Sequence, residues 1–160
     1  MEIESAARWE ALQDQTIGGL VGPRVYRHRL WDRVQGTGKQ ALVVRRADGW
    51  SRPRPGSGVE FPVLVFECYA DPSRDPSGKI LREDAPDKAW SLYRAVNERF
   101  HARKDEWWGA RGVSRGLRIH VVDRYVEPAL VTRDDVHLDE KAWLQDMVRV
   151  EARYAVETAH

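Results

Sequence analysis

The sequence predicts an α+β fold: a mixed, largely antiparallel sheet of four to five strands packed against one long helix and a short N-terminal helix. Apolar residues recur at three- and four-residue steps over residues 85–103, which is typical of a long amphipathic helix. Apolar runs between Gly- and Pro-rich turns predict the strands. The order is helix, three strands, helix, two strands. Short turns between strand pairs favour antiparallel pairing with the helices on one face.

The first part of the chain is predicted to hold a helix and two strands. Helical spacing of apolar residues, with acids near the front, indicates a helix over residues 2–14. Three glycines and a proline predict a turn over residues 16–23. Alternation predicts a first strand over residues 24–34, and a β-branched run predicts a second over residues 41–46.

The next apolar run predicts a long strand between two exposed loops. Residues 59–70 form this strand, and because residues 63–66 are continuously apolar, both of its faces are expected to be covered. Pro62 favours an edge or a bulge near its start. Gly, Pro and Ser predict exposed loops near residues 48–58 and 71–83.

The main helix has a strong start signal. Asp84 is predicted to cap it, with Pro86 in the first turn and Asp87 three residues after the cap. A third exposed loop is expected near residues 105–116, where two tryptophans precede a Gly-bounded segment.

The last part of the chain is predicted to hold two further strands. Alternation over residues 117–126 predicts one strand, which Pro128 is expected to end. The hydrophilic residues 132–141 predict a surface excursion. The clearest alternation in the chain, over residues 148–156, predicts the last strand.

Composition excludes several classes of protein. A length of 160 residues predicts one domain spanning residues 1–160. With 26 basic and 25 acidic side chains, the net charge of +1 excludes capture of nucleic acid by bulk charge. No apolar run of about 18 residues is present, which excludes a membrane helix, and the acidic N-terminal region does not resemble a signal peptide. The single Cys68 cannot form an internal disulfide and is expected to pack as a small apolar side chain.

Two compositional features favour a protein interface. Arginine outnumbers lysine 21 to 5, and seven tryptophans are many for this length. Arg and aromatic residues are enriched where proteins contact each other. A G+C-rich genome is the favoured explanation of the arginines, and burial in the core is the favoured explanation of each tryptophan taken singly.

The usual signatures of catalysis are not found. The five histidines lack the helical spacing of a zinc site. Gly78-Lys79 is no phosphate-binding loop, since Ser73 stands where its first glycine belongs and Ile80 follows the lysine. No Gly-x-Ser-x-Gly elbow occurs. We therefore predict no catalytic, cofactor or metal site.

Two enzymatic alternatives stay open, a metal-dependent nuclease and, as a residual option, an enzyme that acts on small molecules. Pro86-Asp87 followed by Asp139-Glu140-Lys141 is the acid-plus-Asp-x-Lys pattern with which many nucleases hold a divalent metal beside a lysine. Asp87 also suits the first turn of a helix, and Asp139 lies in a hydrophilic segment. A metal-dependent nuclease is the less favoured reading.

The order of elements carries a resemblance to a known family. The elements concerned are the acidic N-terminal helix, Arg24-Val25-Tyr26, residues 41–46 and 61–70 around a Gly/Pro loop, the helix over residues 85–100 and the closing strand over residues 147–158. This pattern resembles the tail terminator (tail completion) proteins of siphovirus-type phages of actinobacteria. The longer segment 71–83 and the Trp-rich segment 105–116 depart from that pattern, which leaves another head-to-tail joining (neck) protein as the alternative.

The resemblance implies a structural, non-enzymatic function. The expected protein is a homo-oligomeric ring, six-fold in symmetry, that caps the completed tail tube and stops further polymerisation. Its partners would be itself, the tail tube protein and the head connector or stopper, with DNA only passing through the lumen and no membrane or cofactor involved. The expected location is the virion, at the head-proximal end of the tail, after assembly in the host cytoplasm.

Ring formation has physical requirements that the residues meet. A heterologous interface must close into a ring, and exposed strand edges offer one way to join copies. Interface side chains are predicted at Trp50, Arg52 and Arg54 of the Gly/Pro loop, with the arginines meeting carboxylates of the tube, and at Trp107 and Trp108.

Overall fold

A computed structural model of the chain describes residues 2–30, 34–47, 59–110 and 116–159. Over these residues the helices are α1 (Ile3–Gln13), α2 (Gln15–Val21), α3 (Asp84–Phe100) and α4 (Leu138–Leu144), with a short 3₁₀ helix at Arg133–Asp135. The strands are β1 (Val25–Arg27), β2 (Gln40–Arg46), β3 (Val59–Glu60), β4 (Val63–Ala70), β5 (Ser73–Arg74), β6 (Ile80–Leu81), β7 (Lys104–Trp108), β8 (Leu117–Val131) and β9 (Val148–Ala159).

Most of the strands form one mixed sheet. Its order is β1-β2-β4-β9-β8-β7, and β3 pairs with the end of β9. The β1–β2 pair is parallel and the other pairs are antiparallel. Strands β5 and β6 form a separate hairpin. The predicted α+β fold with a mixed, largely antiparallel sheet is confirmed, and the sheet has more strands than the four to five expected.

The two faces of the sheet are covered in different ways. Leu64, Phe66 and Cys68 of β4 belong to a large apolar core that also contains the buried residues of α1, α2 and α3. The alternate residues of β4 point to the other face, where Tyr69 packs with Leu144 of α4. All eight residues of β4 are buried. The prediction that both faces of this strand are covered is therefore correct, as is the buried position of Cys68.

A cluster of four aromatic rings lies at the centre of the main core. The ring centroids of Phe66 and Phe100 are 4.8 Å apart, those of Phe66 and Tyr154 are 5.5 Å apart, and those of Phe100 and Trp108 are 5.2 Å apart. All four side chains are inaccessible to solvent. The Tyr154 hydroxyl donates a hydrogen bond to Asn97 Oδ1 at 2.8 Å, so its polar end is satisfied. The cluster joins α3 to β4, β7 and β9.

The turn predicted over residues 16–23 is wrong. Helix α2 occupies most of it, because the Asp14 carboxylate accepts a hydrogen bond from the Ile17 amide at 2.9 Å and caps the helix. Burial of Ile17 and Val21 on one side of this helix outweighs the low helix propensity of its glycines. The chain turns only at Gly22, whose φ is 56°.

The first strand is shorter than the predicted 24–34. Strand β1 ends at Arg27 because His28 has a φ of 70°, which is incompatible with extended backbone. Residues 31–33 lie outside the described part of the chain, as does the predicted loop at 48–58. As Pro62 predicts, the 59–70 strand is interrupted, and Phe61 and Pro62 separate β3 from β4.

Three predictions in the second half also need correction. Asp84 is the first residue of α3 rather than its cap, and its carboxylate accepts a hydrogen bond from the Ser73 amide at 3.0 Å. The expected loop at 105–116 begins as strand β7, because Trp108 is drawn into the core. Pro128 does not end β8. It lies in an irregular stretch of that strand, where the pairing with β9 shifts between Val126 and Ala129.

The surface excursion predicted over residues 132–141 contains the 3₁₀ helix and most of α4. None of the described helices is both long enough and apolar enough to cross a membrane.

Substitution of Phe66 tests the central role of the aromatic cluster. Phe66→Ala removes the ring that contacts both Phe100 and Tyr154, so the free energy of unfolding should fall by about 3–5 kcal/mol. Urea unfolding followed by tryptophan fluorescence measures the loss. Leu81→Ala, at a side chain that is 40% exposed, is the control and should change the stability by less than about 0.5 kcal/mol. A loss at Phe66 no larger than in this control would contradict the assignment.

Candidate interaction surfaces

An exposed tryptophan lies at one edge of the sheet. Trp107 of β7 is 42% exposed, and the Arg118 guanidinium of β8 lies over its ring at 5.6 Å from the centroid. Asp105, whose side chain is 70% exposed, is 3.7 Å from an Arg118 nitrogen. We call Asp105, Trp107 and Arg118 the Trp107 patch. It combines a large apolar ring with one charge of each sign.

The core fixes the direction of Trp107. Neighbouring residues of a strand point to opposite faces, so burial of Trp108 against Phe100 turns Trp107 outward. The Trp108 indole N–H donates a hydrogen bond to Glu106 Oε1 at 3.1 Å. Arg99 of α3 pairs with the same Glu106 and with Glu10 of α1, both at 3.1 Å. Strand β7 is therefore held by two helices.

A cleft of about 510 Å³ lies near the opposite edge of the sheet, between β1, the inner strands and α4. We call it the Trp143 cleft, and its lining residues are His28, Arg29, Leu30, Arg45, Glu67, Tyr69, Glu140 and Trp143. Trp143 is 41% exposed, and its ring lies 6.2 Å from that of Tyr69. The volume falls within the range of clefts that bind small molecules or large side chains.

The floor of the cleft is a buried network of charges. The Arg149 guanidinium hydrogen-bonds to Glu140 and, at 2.8 Å, to Glu151, and it lies 3.4 Å from Glu67. Arg45 approaches the other Glu67 oxygen at 3.4 Å. Three carboxylates thus surround one buried guanidinium. Arginine suits this position because its planar group carries five donors.

Burial dominates the ionisation of Glu67. Its side chain is only 9% exposed, and desolvation raises the pKa of the carboxyl above the ordinary value of 4.5. Arg45 and Arg149 oppose this rise by favouring the charged form, while Glu151 adds to it. The negative charge of Glu67 is therefore costly in the folded protein.

The structure places the predicted interface residues in three different settings. Trp50, Arg52 and Arg54 lie outside the described residues. Trp107 is exposed, as an interface residue must be. Trp108 is inaccessible to solvent because its indole ring is buried in the apolar core. Its side chain therefore has no accessible surface for a partner in this structure.

Sequence reasoning missed Arg118 and Trp143. An arginine that covers a tryptophan on the next strand has no local signature, because the pairing of Trp107 with Arg118 is set by the register between β7 and β8. The position of Trp143 at the end of a hydrophilic segment was the available signal for an exposed ring.

Simple strand pairing is disfavoured at β1 and along the part of β8 that extends beyond β7. On β1, Val25 donates its amide to the Pro23 carbonyl at 2.8 Å and accepts Arg8 Nε at 2.7 Å, and the Arg27 carbonyl accepts the Arg29 amide. On β8, the Arg124 amide donates to His101 Nδ1 at 3.2 Å, and Pro128 has no N–H. Occupied groups, a proline and register shifts are the means by which proteins block edge pairing.

The residues of the nuclease pattern do not converge. Helix α3 carries Asp87 and packs its apolar side into the main core. Helix α4 carries Asp139 and Glu140 and packs on the other face of the sheet through Leu144. Glu140 pairs with Arg149 instead. Within the described ranges, no three His, Cys, Asp or Glu side chains are placed to hold a metal ion.

Comparison with known proteins yields a match in structure and none in sequence. No known protein family matches the chain, and no curated protein matches it. Its fold is similar to that of a chain in the solved virion of a native gene transfer agent (GTA) particle, with a TM-score of 0.59 and 14% identity. The match covers 98% of this chain and 94% of the other. The likeness is one of fold.

The pH dependence of stability tests the environment of Glu67. With its pKa raised in the folded state, the carboxyl contributes stability that is fully present below about pH 4.5 and is lost as pH rises through the folded pKa. The Glu67→Gln side chain has no carboxyl group and does not titrate. We expect the wild type to lose stability relative to Glu67→Gln as the pH rises above about 4.5, as measured by urea unfolding at a series of pH values.

The matched control for this series is Glu127→Gln, at a side chain that is 84% exposed. Its difference from the wild type should stay within about 0.5 kcal/mol at every pH. A Glu67→Gln difference that stays constant across the range, or that changes in the opposite direction, would contradict the described environment.

Proposed function

We propose that this protein is a structural component of a virion, and that it forms the ring that caps the tail tube, ends tube growth and joins the tail to the head connector. The role is one of contact between proteins, with no bond made or broken. The site of action is the head-proximal end of the tail.

The likeness of fold to a chain of the gene transfer agent virion carries this proposal. It spans 98% of this chain and 94% of the other, so the two share a whole architecture rather than a local motif. Fold alone does not determine function. The specific role as a tail terminator comes from the order and character of the sequence elements, which resemble that family.

The surfaces of the described residues suit such a role. A capping ring needs two different contact surfaces on each copy, since a heterologous interface closes into a ring only when each copy binds one neighbour on each side. The Trp107 patch and the Trp143 cleft lie at opposite edges of the sheet and differ in shape and composition. Exposed tryptophan and arginine are the residue types that contribute most to protein interfaces.

A tube assembly experiment tests the proposed function. Purified tail tube protein of the same particle is allowed to polymerise with and without this chain, and tube lengths are measured on negative-stain grids. We expect added protein to shorten the tubes and to decorate one end of each. Tubes of unchanged length without end decoration would contradict the proposal. Binding to the purified connector alone would also contradict it and would indicate a neck protein.

The Gly/Pro loop offers a second test. Deletion of Ser51–Gly56 removes Arg52 and Arg54, the two arginines expected to meet carboxylates of the tube, so the variant should fold and self-associate but bind tubes at least about tenfold more weakly. Thermal unfolding and co-sedimentation with tubes are the measurements. The matched variant Arg52→Ser with Arg54→Ser keeps the loop length and should lose the same binding. Unchanged tube binding by both variants would show that this loop is not part of the interface with the tube.

A further inference from the structure

The Trp107 patch and the Trp143 cleft each combine an aromatic ring with charged side chains. The patch presents a tryptophan ring between Asp105 and Arg118. The cleft presents the Trp143 ring, with Arg45 and Glu140 as partly exposed charges at 29% and 27% side-chain exposure. The exposed Arg29 adds a second cation to the cleft. Each surface therefore offers an aromatic ring and charges of both signs.

We propose that the Trp107 patch of one copy docks in the Trp143 cleft of the next copy, so that copies of this chain associate head to tail. Trp107 then packs against Trp143. The Arg118 guanidinium meets Glu140, and the Asp105 carboxylate meets Arg45. The inference rests on the proposed function only in taking a second copy of the chain as the partner.

The positions of the two surfaces favour a heterologous contact over a symmetric dimer. The patch lies on β7 and the strand residues of the cleft lie on β2 and β4, so three to four strand spacings separate them, about 14–19 Å at about 4.8 Å per strand. A twist of about 20° per strand turns the two surfaces about 60–80° away from each other over this distance. Different regions of neighbouring copies can then face each other, and each copy keeps one free patch and one free cleft for the next contact.

The charge distribution favours a second protein over nucleic acid as the occupant of the cleft. The lining residues carry both signs, with Glu67 and Glu140 beside Arg29 and Arg45, so the cleft lacks the uniform positive charge that favours a phosphate backbone. A partner that brings one carboxylate and one guanidinium matches this arrangement, and the Trp107 patch brings both.

The contact also fits the β1 edge of the sheet. Because the amide and carbonyl of Val25 and the carbonyl of Arg27 have partners within the chain, simple extension of the sheet is disfavoured there. A contact carried by side chains does not need those backbone groups. A preformed Trp–Arg stack enters such a contact at low entropic cost, since Trp107 and Arg118 are already ordered against each other.

Complementation between two variants tests the proposal. Trp107→Glu removes the patch and keeps the cleft, and Trp143→Glu removes the cleft mouth and keeps the patch. Each variant alone should self-associate about 30-fold more weakly than the wild type, as measured by sedimentation velocity, which corresponds to about 2 kcal/mol for an interface hot spot. An equimolar mixture of the two should form dimers that grow no further, because only one intact patch meets one intact cleft.

Two further variants distinguish loss of the proposed contact from misfolding. Arg118→Glu reverses a charge of the patch at a side chain that is 42% exposed and should behave like Trp107→Glu in the same mixture. Leu81→Glu, at a residue of the β5–β6 hairpin that is 40% exposed, is the matched control and should associate like the wild type. Circular dichroism and thermal unfolding verify that each variant is folded.

The outcomes separate this inference from the proposed function. Restored dimers in the mixture support head-to-tail docking, even where tube capping fails. A wild type that stays monomeric up to about 1 mM, variants that associate normally, or a mixture that stays monomeric would overturn it, even where capping succeeds. A wild type that associates only as a closed symmetric dimer would also overturn it.

Discussion

The packing of Phe66, Phe100, Trp108 and Tyr154 is the contact on which the rest of the molecule depends. These rings come from β4, α3, β7 and β9, so one cluster fixes the long helix against the middle of the sheet and also holds an edge strand in place. Burial of large aromatic side chains supplies much of the energy of a core. The cluster also affects the surface, because burial of Trp108 of β7 directs its neighbour Trp107 to solvent.

The second face of the sheet follows a different principle. Helix α4 covers only part of it, and Arg149 lies beneath with three carboxylates around it. A buried charge network contributes less to net stability than an apolar core of equal volume, because removing charges from water is costly. Such a network does fix geometry, since the hydrogen bonds of Arg149 are directional. The result is a shaped, polar cleft beside an exposed tryptophan.

These two faces explain why likeness of fold and likeness of surface must be considered separately. At 14% identity, the shared architecture with a virion protein reflects the pattern of buried residues, which many sequences can satisfy. Contact with partners depends on the side chains left outside that pattern. The exposed rings and charges of the Trp107 patch and the Trp143 cleft are the side chains on which the proposed contact depends.

The sequence alone determined the fold class, helices α1 and α3, strands β2, β4 and β9, and the burial of Cys68, because each depends on a local period of apolar residues. Tertiary structure decided the rest. Helix α2 forms because the core buries Ile17 and Val21, β7 forms because the core takes up Trp108, and Arg118 covers Trp107 through a strand register that no local pattern specifies. The cleft likewise combines residues more than 100 positions apart, and only folding brings such residues together.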